Sequence, residues 1–332
     1  MGSSTSTTPK FERFFVLYNP KSTKAAAIAV RLNDLRKIAQ TLEIPIDICE
    51  TSGDGYQANA NIIVKNQLKL GPTTLLCCAS GDGTIGQIVQ ALVITPGLSD
   101  NARKTPILPI WGGNANDLAC MLNGSAKTGL KSIISTGKVI AVHPLECTMQ
   151  SPRSDHKTHR IAACYAGFGA TAFAARKLNK PSHRQSKLHS IPGGRFIQEV
   201  ITVAGALLEA PQFKLKDGDD IRVIYERTFS KGSRMAKIKR LPVQLTDEMF
   251  YLNTLENKRL VSAIPRLIES TNKKVSEKFL RSSASFTVQE DSWAQFDGEP
   301  TLISTGTKVH VALSRRPFYA LSTALDNSEN TK

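Results

Sequence analysis

Five consecutive residues, Ser80-Gly81-Asp82-Gly83-Thr84, have the types and spacing needed to bind a phosphate group. They follow an apolar run, residues 75–79, of the length of a buried strand, and they precede residues 85–92, whose apolar side chains recur at helical spacing. Two glycines permit the positive φ angles or the close backbone approach that such a turn requires. The free N–H groups at the start of the helix would then bind an anion.

Asp82 makes the expected chemistry more specific. A carboxylate among phosphate-binding amides is repelled by its own ligand unless a cation or a hydroxyl stands between them. This combination predicts phosphoryl transfer, in which Mg²⁺ neutralises charge and a carboxylate orients or deprotonates the attacking hydroxyl. We expect Asp82 to be catalytic and to bind the metal, while Ser80, Gly81, Gly83 and Thr84 hold the phosphates.

Residues 81–86 also fit the G-x-G-x-x-G fingerprint of dinucleotide-binding proteins. That fingerprint requires an acid about 20 residues further on, at the end of the next strand. Asp100 instead lies in a polar loop before the next strand, and at least two strand candidates precede residue 75. The dinucleotide interpretation is therefore disfavoured.

The first half of the chain alternates short apolar runs with helical patterns. The runs are residues 14–18, 44–49, 75–79 and 105–110, and the helical patterns cover 25–42, 56–70, 85–92 and 118–122. This order predicts an α/β domain with a parallel, Rossmann-like sheet. Ligands of such sheets bind beyond the carboxyl ends of the strands, where Asn19, Thr51, Asp82 and Asn116 are expected to lie.

The second half reads as strands with few helices, which predicts a mainly antiparallel β domain. Strands are expected at 139–142, 160–165, 213–215, 221–225, 235–245, 285–289 and 309–313, and helices at 171–178 and 196–208. The predicted organisation is a disordered tail (1–12), a nucleotide-binding domain (13–137), a β-sandwich-like substrate domain (138–314) and a C-terminal segment (315–332). That last segment is expected to return to the first domain and to end in disorder.

Composition and charge indicate a cytoplasmic protein that interacts with an anionic partner. The 332 residues carry a net charge of +15, with 14 Lys and Arg against 10 Asp and Glu in residues 1–150 and 29 against 18 in 151–332. Six scattered cysteines without a C-x-x-C pair indicate reduced thiols, and neither a secretory signal nor a bilayer span is recognised. The basic second half favours peripheral association with an anionic membrane. Nucleic acid is not expected, because no aromatic-basic motif occurs, and a homodimer is compatible with the sequence.

Two further motifs are ambiguous by themselves. Residues 113–117, Gly-Asn-Ala-Asn-Asp, form either a glycine turn with Asp117 capping a helix or a loop whose Asn116 and Asp117 contact a nucleotide. Asp297-Gly298-Glu299 is either a β-turn or a pair of carboxylates that supplies a general base or a magnesium site.

Taken together, five motifs resemble those of diacylglycerol kinase and sphingosine kinase type lipid kinases. In chain order they are Asn19-Pro20-Lys21-Ser22, residues 80–84, residues 113–119 (GNANDLA), residues 167–170 (GFGA) and residues 296–300 (FDGEP). The resemblance implies the two-domain fold of the NAD kinase and diacylglycerol kinase type. It also implies ATP and Mg²⁺ as cofactors and a lipid hydroxyl as the phosphate acceptor.

The resemblance also assigns roles to particular residues. Thr51 corresponds to a threonine that helps to seat the nucleotide, and Asp297 to the aspartate that activates the acceptor hydroxyl, with Glu299 beside it. Thr23 stands where the family has glycine, Asn114 where it has threonine, and Leu118 where it has phenylalanine. The implied nucleotide-binding set is Asn19, Pro20, Lys21, Ser22, Thr51, Ser80, Gly81, Gly83, Thr84, Gly113, Asn114, Asn116 and Asp117.

The chain departs from the family between residues 252 and 281. A glycine-rich loop and a D-G-x-L-D turn are missing there, and a basic set stands in their place (Lys258, Arg259, Arg266, Lys273, Lys274, Lys278 and Arg281). The sequence therefore does not determine which molecule accepts the phosphate. The alternatives are an NAD kinase-like phosphotransferase and a non-catalytic basic protein that binds lipid or nucleotide.

Overall fold

A computed structural model describes most of the first half of the chain and parts of the second half. The described residues are 11–22, 24–51, 55–113, 116–124, 128–154, 156–178, 198, 202 and 283–323, together with short strands between 215 and 281. They divide into two compact units. Unit 1 contains residues 11–144 and 314–323, and unit 2 contains the described residues from 145 to 313.

Unit 1 is built on a six-stranded sheet in the order β2-β1-β3-β4-β18-β5. Its strands are β1 (Arg13–Tyr18), β2 (Ile46–Glu50), β3 (Thr74–Ser80), β4 (Pro106–Trp111), β5 (Lys138–Val142) and β18 (Phe318–Ser322). All pairs are parallel except β18 with β5. Every residue of the central strand β3 is buried, because helices cover both faces of a parallel sheet. The predicted α/β domain is confirmed.

Six helices accompany this sheet. They are α1 (Ala25–Thr41), α2 (Tyr56–Lys65), α3 (Asp82–Ile94), α4 (Asp100–Arg103), α5 (Asp117–Asn123) and α6 (Leu130–Thr136). The helix expected to reach residue 70 ends at Lys65, and a 3₁₀ turn, Gln67–Lys69, follows it. Arg103 closes α3 by donating to the carbonyl oxygens of Leu92 and Val93, each at 2.7 Å.

The C-terminal strand β18 completes the sheet of unit 1 from the far end of the chain. It lies between β4 and β5, and the Ser322 hydroxyl donates to the Leu122 carbonyl oxygen at 2.7 Å. A return of the C-terminal segment to the first domain was expected, and the described part of it, residues 314–323, belongs to unit 1. Strand β5 pairs with β18, and unit 1 extends to Pro144 before the chain enters unit 2.

Unit 2 consists of antiparallel strands and one described helix. These are β6 (Leu145–Gln150), β7 (Lys157–Ala162), β8 (Ala166–Phe168), α7 (Ala170–Leu178), β9 (Leu215–Asp217), β10 (Asp220–Arg222), β11 (Tyr225–Glu226), β12 (Phe250–Asn253), β13 (Leu280–Arg281), β14 (Ser283–Val288), β15 (Ser292–Phe296), β16 (Glu299–Ile303) and β17 (Lys308–Leu313). The sheets have the orders β10-β9-β14-β17-β6-β7, β16-β15-β8 and β11-β12-β13. The mainly antiparallel domain is thus confirmed.

The core of unit 2 lies between two of these sheets. Phe286 of β14 meets Phe168 of β8 edge to face, with ring centroids 5.0 Å apart, and Phe296 of β15 lies 6.3 Å from the same ring. Strands β6 and β17 contribute alternate residues to this cluster. Every second residue of these strands therefore faces the core between the two sheets.

Two sequence predictions fall outside the described residues: the strand at 235–245 and, apart from residues 198 and 202, the helix at 196–208. The predicted strand at 160–165 is wrong in its extent, because β7 ends at Ala162 and a loop leads into β8. The helix at 171–178 corresponds to α7. None of the helices that the structure describes has the length and apolar character needed to span a membrane.

Candidate active site

The loops that follow the first four parallel strands meet at one edge of the sheet of unit 1. Asn19 Nδ2 donates to Thr84 Oγ1 at 3.3 Å, which joins the loop after β1 to the start of α3. Ser22 Oγ donates to the Gly112 carbonyl oxygen at 2.5 Å, which joins it to the loop after β4. Thr51 follows β2 and is held by its N–H to the Tyr18 carbonyl at 2.8 Å. The structure therefore brings together the four loops that the sequence singled out.

Glycines allow two of these loops to touch backbone to backbone. A Cβ atom on Gly113 would lie 2.7 Å from the Cα atom of Gly81, and one on Gly112 would lie 2.9 Å from the side chain of Ile28. Neither distance is sterically possible without a shift of the neighbours. The close approach therefore requires glycine at position 113; Gly81 has a φ of −79°, and a Cβ on it would make an ordinary contact with Gly113 at 3.5 Å.

Asp82 joins the start of α3 to the start of α5. Its Oδ2 atom accepts a hydrogen bond from the Asn116 backbone N–H at 2.7 Å, so it caps the α5 helix from the first turn of α3. The expectation that Asp117 caps this helix is wrong, because Asp117 is its first residue. Backbone amides at the start of α5 thus stabilise the negative charge of Asp82. This partner, like a cation or a hydroxyl, reduces the repulsion between Asp82 and a bound phosphate.

The environment of Asp82 favours its protonated form. Burial, and after it the neighbouring Asp117 carboxylate, raise its pKa, whereas backbone hydrogen bonds from Asn116, Leu118 and Asp117 lower it; the net result is a pKa of about 6. A carboxyl group with this pKa is ionised at neutral pH and can still accept a proton readily. Such a group is suited to general base catalysis.

Three buried side-chain oxygens around these loops have no hydrogen-bond partner among the described residues. They are Thr51 Oγ1, Ser80 Oγ and Asp82 Oδ1. An unsatisfied buried polar atom is costly, so a bound group is the usual explanation. The first amides of α3, at residues 82–84, also have no acceptor within the helix. Two hydroxyls and three amides fit nucleotide phosphates.

A magnesium ion fits this site only in part. No group of three or more His, Cys, Asp or Glu side chains occurs in the portion of the chain that the structure describes. Mg²⁺ in kinases commonly takes one or two carboxylates, with phosphates and waters completing its shell. Asp82 Oδ1 is available for such a contact, and its role as a metal ligand stays a prediction.

The remaining residues of the predicted nucleotide site differ in availability. The Asn116 side chain is engaged within its own turn: its Oδ1 accepts from the Gly113 N–H at 2.8 Å and its Nδ2 donates to the Gly113 carbonyl at 3.0 Å. Asn116 adopts a φ of 53° there. Pro20 and Lys21 are exposed. Asn114 and Thr23 lie outside the described residues, so their predicted contacts stay open.

Asp297 holds a loop of unit 2. It is 3% exposed, and its Oδ2 accepts from the Ala163 N–H at 2.6 Å while its Oδ1 accepts from Cys164 N–H at 2.8 Å and Tyr165 N–H at 3.1 Å. Three successive amides around one carboxylate form an anion-binding nest. Its predicted activation of an acceptor hydroxyl stays a prediction.

Asp297 and Gly298 also form the turn between β15 and β16. Both have positive φ angles, 50° and 88°, as a two-residue Asp-Gly hairpin turn requires. Glu299, the other predicted catalytic carboxylate, is exposed at the start of β16. The β-turn interpretation of this motif therefore describes its backbone. Sequence reasoning missed the nest at residues 163–165, because no local spacing relates those amides to residue 297.

Comparisons with known proteins agree with this architecture. Residues 13–145 match the sequence profile of the diacylglycerol kinase catalytic domain, which confirms the expected resemblance. No curated protein matches the sequence significantly.

Two crystal structures of a candidate diacylglycerol kinase from Bacillus anthracis strain Sterne are similar over nearly the whole chain. The first has 14% sequence identity and a TM-score of 0.59, and the match covers 97% of this chain and 98% of the other. The second has 15% identity and a TM-score of 0.58, and the match covers 95% of this chain and 98% of the other. Yeast NADH kinase complexed with NADH has 12% identity and a TM-score of 0.46, covering 96% of this chain and 86% of the other. The Bacillus structures show the shared fold.

Proposed function

We propose that this protein is an ATP-dependent lipid kinase that transfers the γ-phosphate to the hydroxyl of a diacylglycerol or a sphingoid base. The observation that carries the proposal is the position of Asp82. One of its carboxylate oxygens is fixed by the Asn116 amide, and the other is buried without a partner. A reacting group or a cation would complete this arrangement.

The nucleotide half of the site comes from the loops of unit 1. The amides at residues 82–84, with the hydroxyls of Ser80 and Thr51, would bind the phosphates. Asn19 and Ser22 hold the loops in position through their hydrogen bonds to Thr84 and Gly112. Mg²⁺, when bound, would offset the negative charge of the triphosphate through phosphate oxygens and water.

Asp82 is also our candidate for the general base. The acceptor hydroxyl would give its proton to the Asp82 carboxylate, its oxygen would form a bond to the γ-phosphorus, and ADP would leave with the bridging oxygen. The pKa of about 6 supports this role, because the group is ionised at neutral pH without being a very weak base. Asp297, whose carboxylate accepts from three amides, stays our second candidate for the residue that activates the acceptor hydroxyl.

The lipid acceptor implies contact with a membrane surface. Arg176 and Lys177 lie in the last turn of α7, and the guanidinium of Arg176 stacks 4.3 Å from the centre of the Trp293 ring. A cation beside an aromatic ring suits the interface of an anionic bilayer. Peripheral membrane association in the cytoplasm is part of this proposal, and a homodimer stays a prediction.

A phosphate-transfer assay tests the proposal. The protein would be incubated with γ-labelled ATP, Mg²⁺ and mixed vesicles that contain diacylglycerol or a sphingoid base, and the lipid fraction would be counted. We expect labelled lipid with the wild-type protein and with Asp100→Asn, an exposed carboxylate of unit 1. Asp82→Asn should reduce the rate at least about a hundredfold, the usual contribution of a general base.

Other outcomes of this assay point to the alternatives. Labelled NADP from NAD without vesicles would replace the lipid kinase with an NAD kinase-like enzyme. Tight ATP binding without transfer to any acceptor would indicate a non-catalytic member of the fold. Equal rates for Asp82→Asn and the wild type would remove Asp82 from the chemistry.

A further inference from the structure

We propose that the outer face of the β14-β17-β6-β7 sheet of unit 2 binds a phosphate-bearing anion. A cavity of about 420 Å³ lies on this face, and all of its lining residues come from these four strands. This site is made of unit 2 residues alone and does not depend on the proposed kinase activity. A phosphate group with a small polar substituent is well within this volume.

The first feature of the site is a row of four side chains that crosses all four strands. Thr287, Lys308, Gln150 and Lys157 stand directly opposite one another in the registers of neighbouring strands. Residues paired in this way share a face of the sheet. Because strands lie about 4.8 Å apart, the two lysines are about 10 Å apart at their Cα atoms, on either side of Gln150.

Neither lysine of this row is paired with an acid. No ion pair joins Lys157 or Lys308 to any carboxylate of the described residues. Their flexible side chains can therefore converge on one anion above Gln150. Such charge-assisted hydrogen bonds are stronger than those between neutral groups.

The second feature is a parallel row of polar side chains one step along the strands. Ser285, His310 and Thr148 stand opposite one another, and Ser285 Oγ lies 2.8 Å from His310 Nδ1. Whichever atom donates in that bond, the pair retains one hydrogen for a third group, from the hydroxyl or from Nε2. Thr148 adds a hydroxyl beside it, whose oxygen lies 3.5 Å from Nδ1 of His159.

The chemistry of the lining favours an anion over other ligands. Among the described residues, the cavity is bordered by two lysines, a histidine and three hydroxyls, and by no carboxylate. Glu146, the acid of this face, is paired instead with His159 at 3.4 Å. Donors of this kind match the oxygens of a phosphate, whereas a metal cation or an amine would meet two ammonium groups.

Equilibrium dialysis of the full chain against labelled inorganic phosphate tests the site. Phosphate bound at the loops of unit 1 is common to all variants, so the difference between variants reports the sheet site. We expect Lys157→Ala with Lys308→Ala to weaken phosphate binding about tenfold, and Ser285→Ala about threefold without a change in net charge. The matched control is Lys37→Ala with Lys131→Ala, two exposed lysines of unit 1, which should leave binding unchanged.

Vesicle flotation distinguishes a lipid headgroup from a free phosphate. Binding to phosphatidylglycerol vesicles, but not to phosphatidylcholine vesicles, that is lost in the Lys157/Lys308 variant would assign the site to a headgroup. Phosphate binding without vesicle binding would assign it to a soluble anion. Circular dichroism would verify that each variant is folded, and Ser285→Ala provides the test if the double variant is not.

Three results would overturn the proposal. They are a wild-type protein that binds neither probe, equal weakening by both lysine pairs, or a Ser285→Ala variant that binds as the wild type does. Equal weakening by both pairs would show a response to net charge alone. Because these measurements detect binding and not turnover, they remain informative whether or not the protein transfers phosphate.

Discussion

Replacement of Asp82 by Asn should change how the stability of the protein depends on pH. The pKa of this carboxyl rises from 3.8 to about 6 on folding, mainly because of burial. An acid whose pKa is raised in the folded state stabilises the fold while it is protonated, below pH 3.8, and this contribution is lost as the pH rises through 6. A difference of about two units corresponds to about 3 kcal/mol in total.

About half of that amount falls in a range of pH that is easy to measure. Between pH 5 and pH 7.5, the linkage relation gives a loss of about 1.4 kcal/mol from Asp82 in the wild-type protein. The asparagine does not titrate, and its oxygen can still accept from the Asn116 N–H. The free energy of unfolding of Asp82→Asn minus that of the wild type should therefore rise by about 1.4 kcal/mol over this range.

Urea unfolding at several pH values, followed by circular dichroism, provides this difference. Subtraction of the two proteins removes the contribution of all other titrating groups, as long as both unfold in one transition. If this difference in unfolding free energy does not change with pH, the pKa of Asp82 is unchanged on folding. If it falls as the pH rises, the amides of α5 lower the pKa of Asp82 by more than burial raises it. The carboxylate would then be too weak a base for the proposed role.

Three further predictions concern activity and the two turns. The kcat/KM for lipid phosphorylation should fall about tenfold per pH unit below pH 6, because protonated Asp82 cannot accept a proton; a profile that is flat down to pH 5 would contradict this. Gly113→Ala should cost at least about 2 kcal/mol of unfolding free energy and weaken ATP binding, since its Cβ would lie 2.7 Å from Gly81. Gly129→Ala, with no atom within 4 Å of its Cβ, is the control and should cost less than about 1 kcal/mol in the same urea titration; equal losses would refute the contact. Asp297→Asn should cost about 1–3 kcal/mol, because an amide NH₂ would face backbone N–H groups; an unchanged melting midpoint with lost activity would favour a catalytic over a positioning role.

The sequence was sufficient to predict those parts of the fold that depend on local patterns. The buried strand β3, the glycine turn after it and the apolar face of α3 follow one another within 21 residues. Their order, repeated four times, defines a parallel sheet, because each strand must be connected through a helix to run in the same direction. The candidate site followed from this topology, since the carboxyl ends of parallel strands share one edge.

Only the tertiary structure showed which groups are partners at that edge. Asp82 caps α5 across 34 residues of chain, and Asp297 meets the amides of residues 163–165 across more than 130. Strand β18 enters a sheet whose neighbouring strand β4 ends about 200 residues earlier. A local pattern fixes which face a residue presents, whereas a pairing between distant segments depends on the register and order of whole sheets. The sequence therefore identified the residues with reactive groups, and the packing of distant segments determined which of their atoms are engaged and which remain available to a ligand.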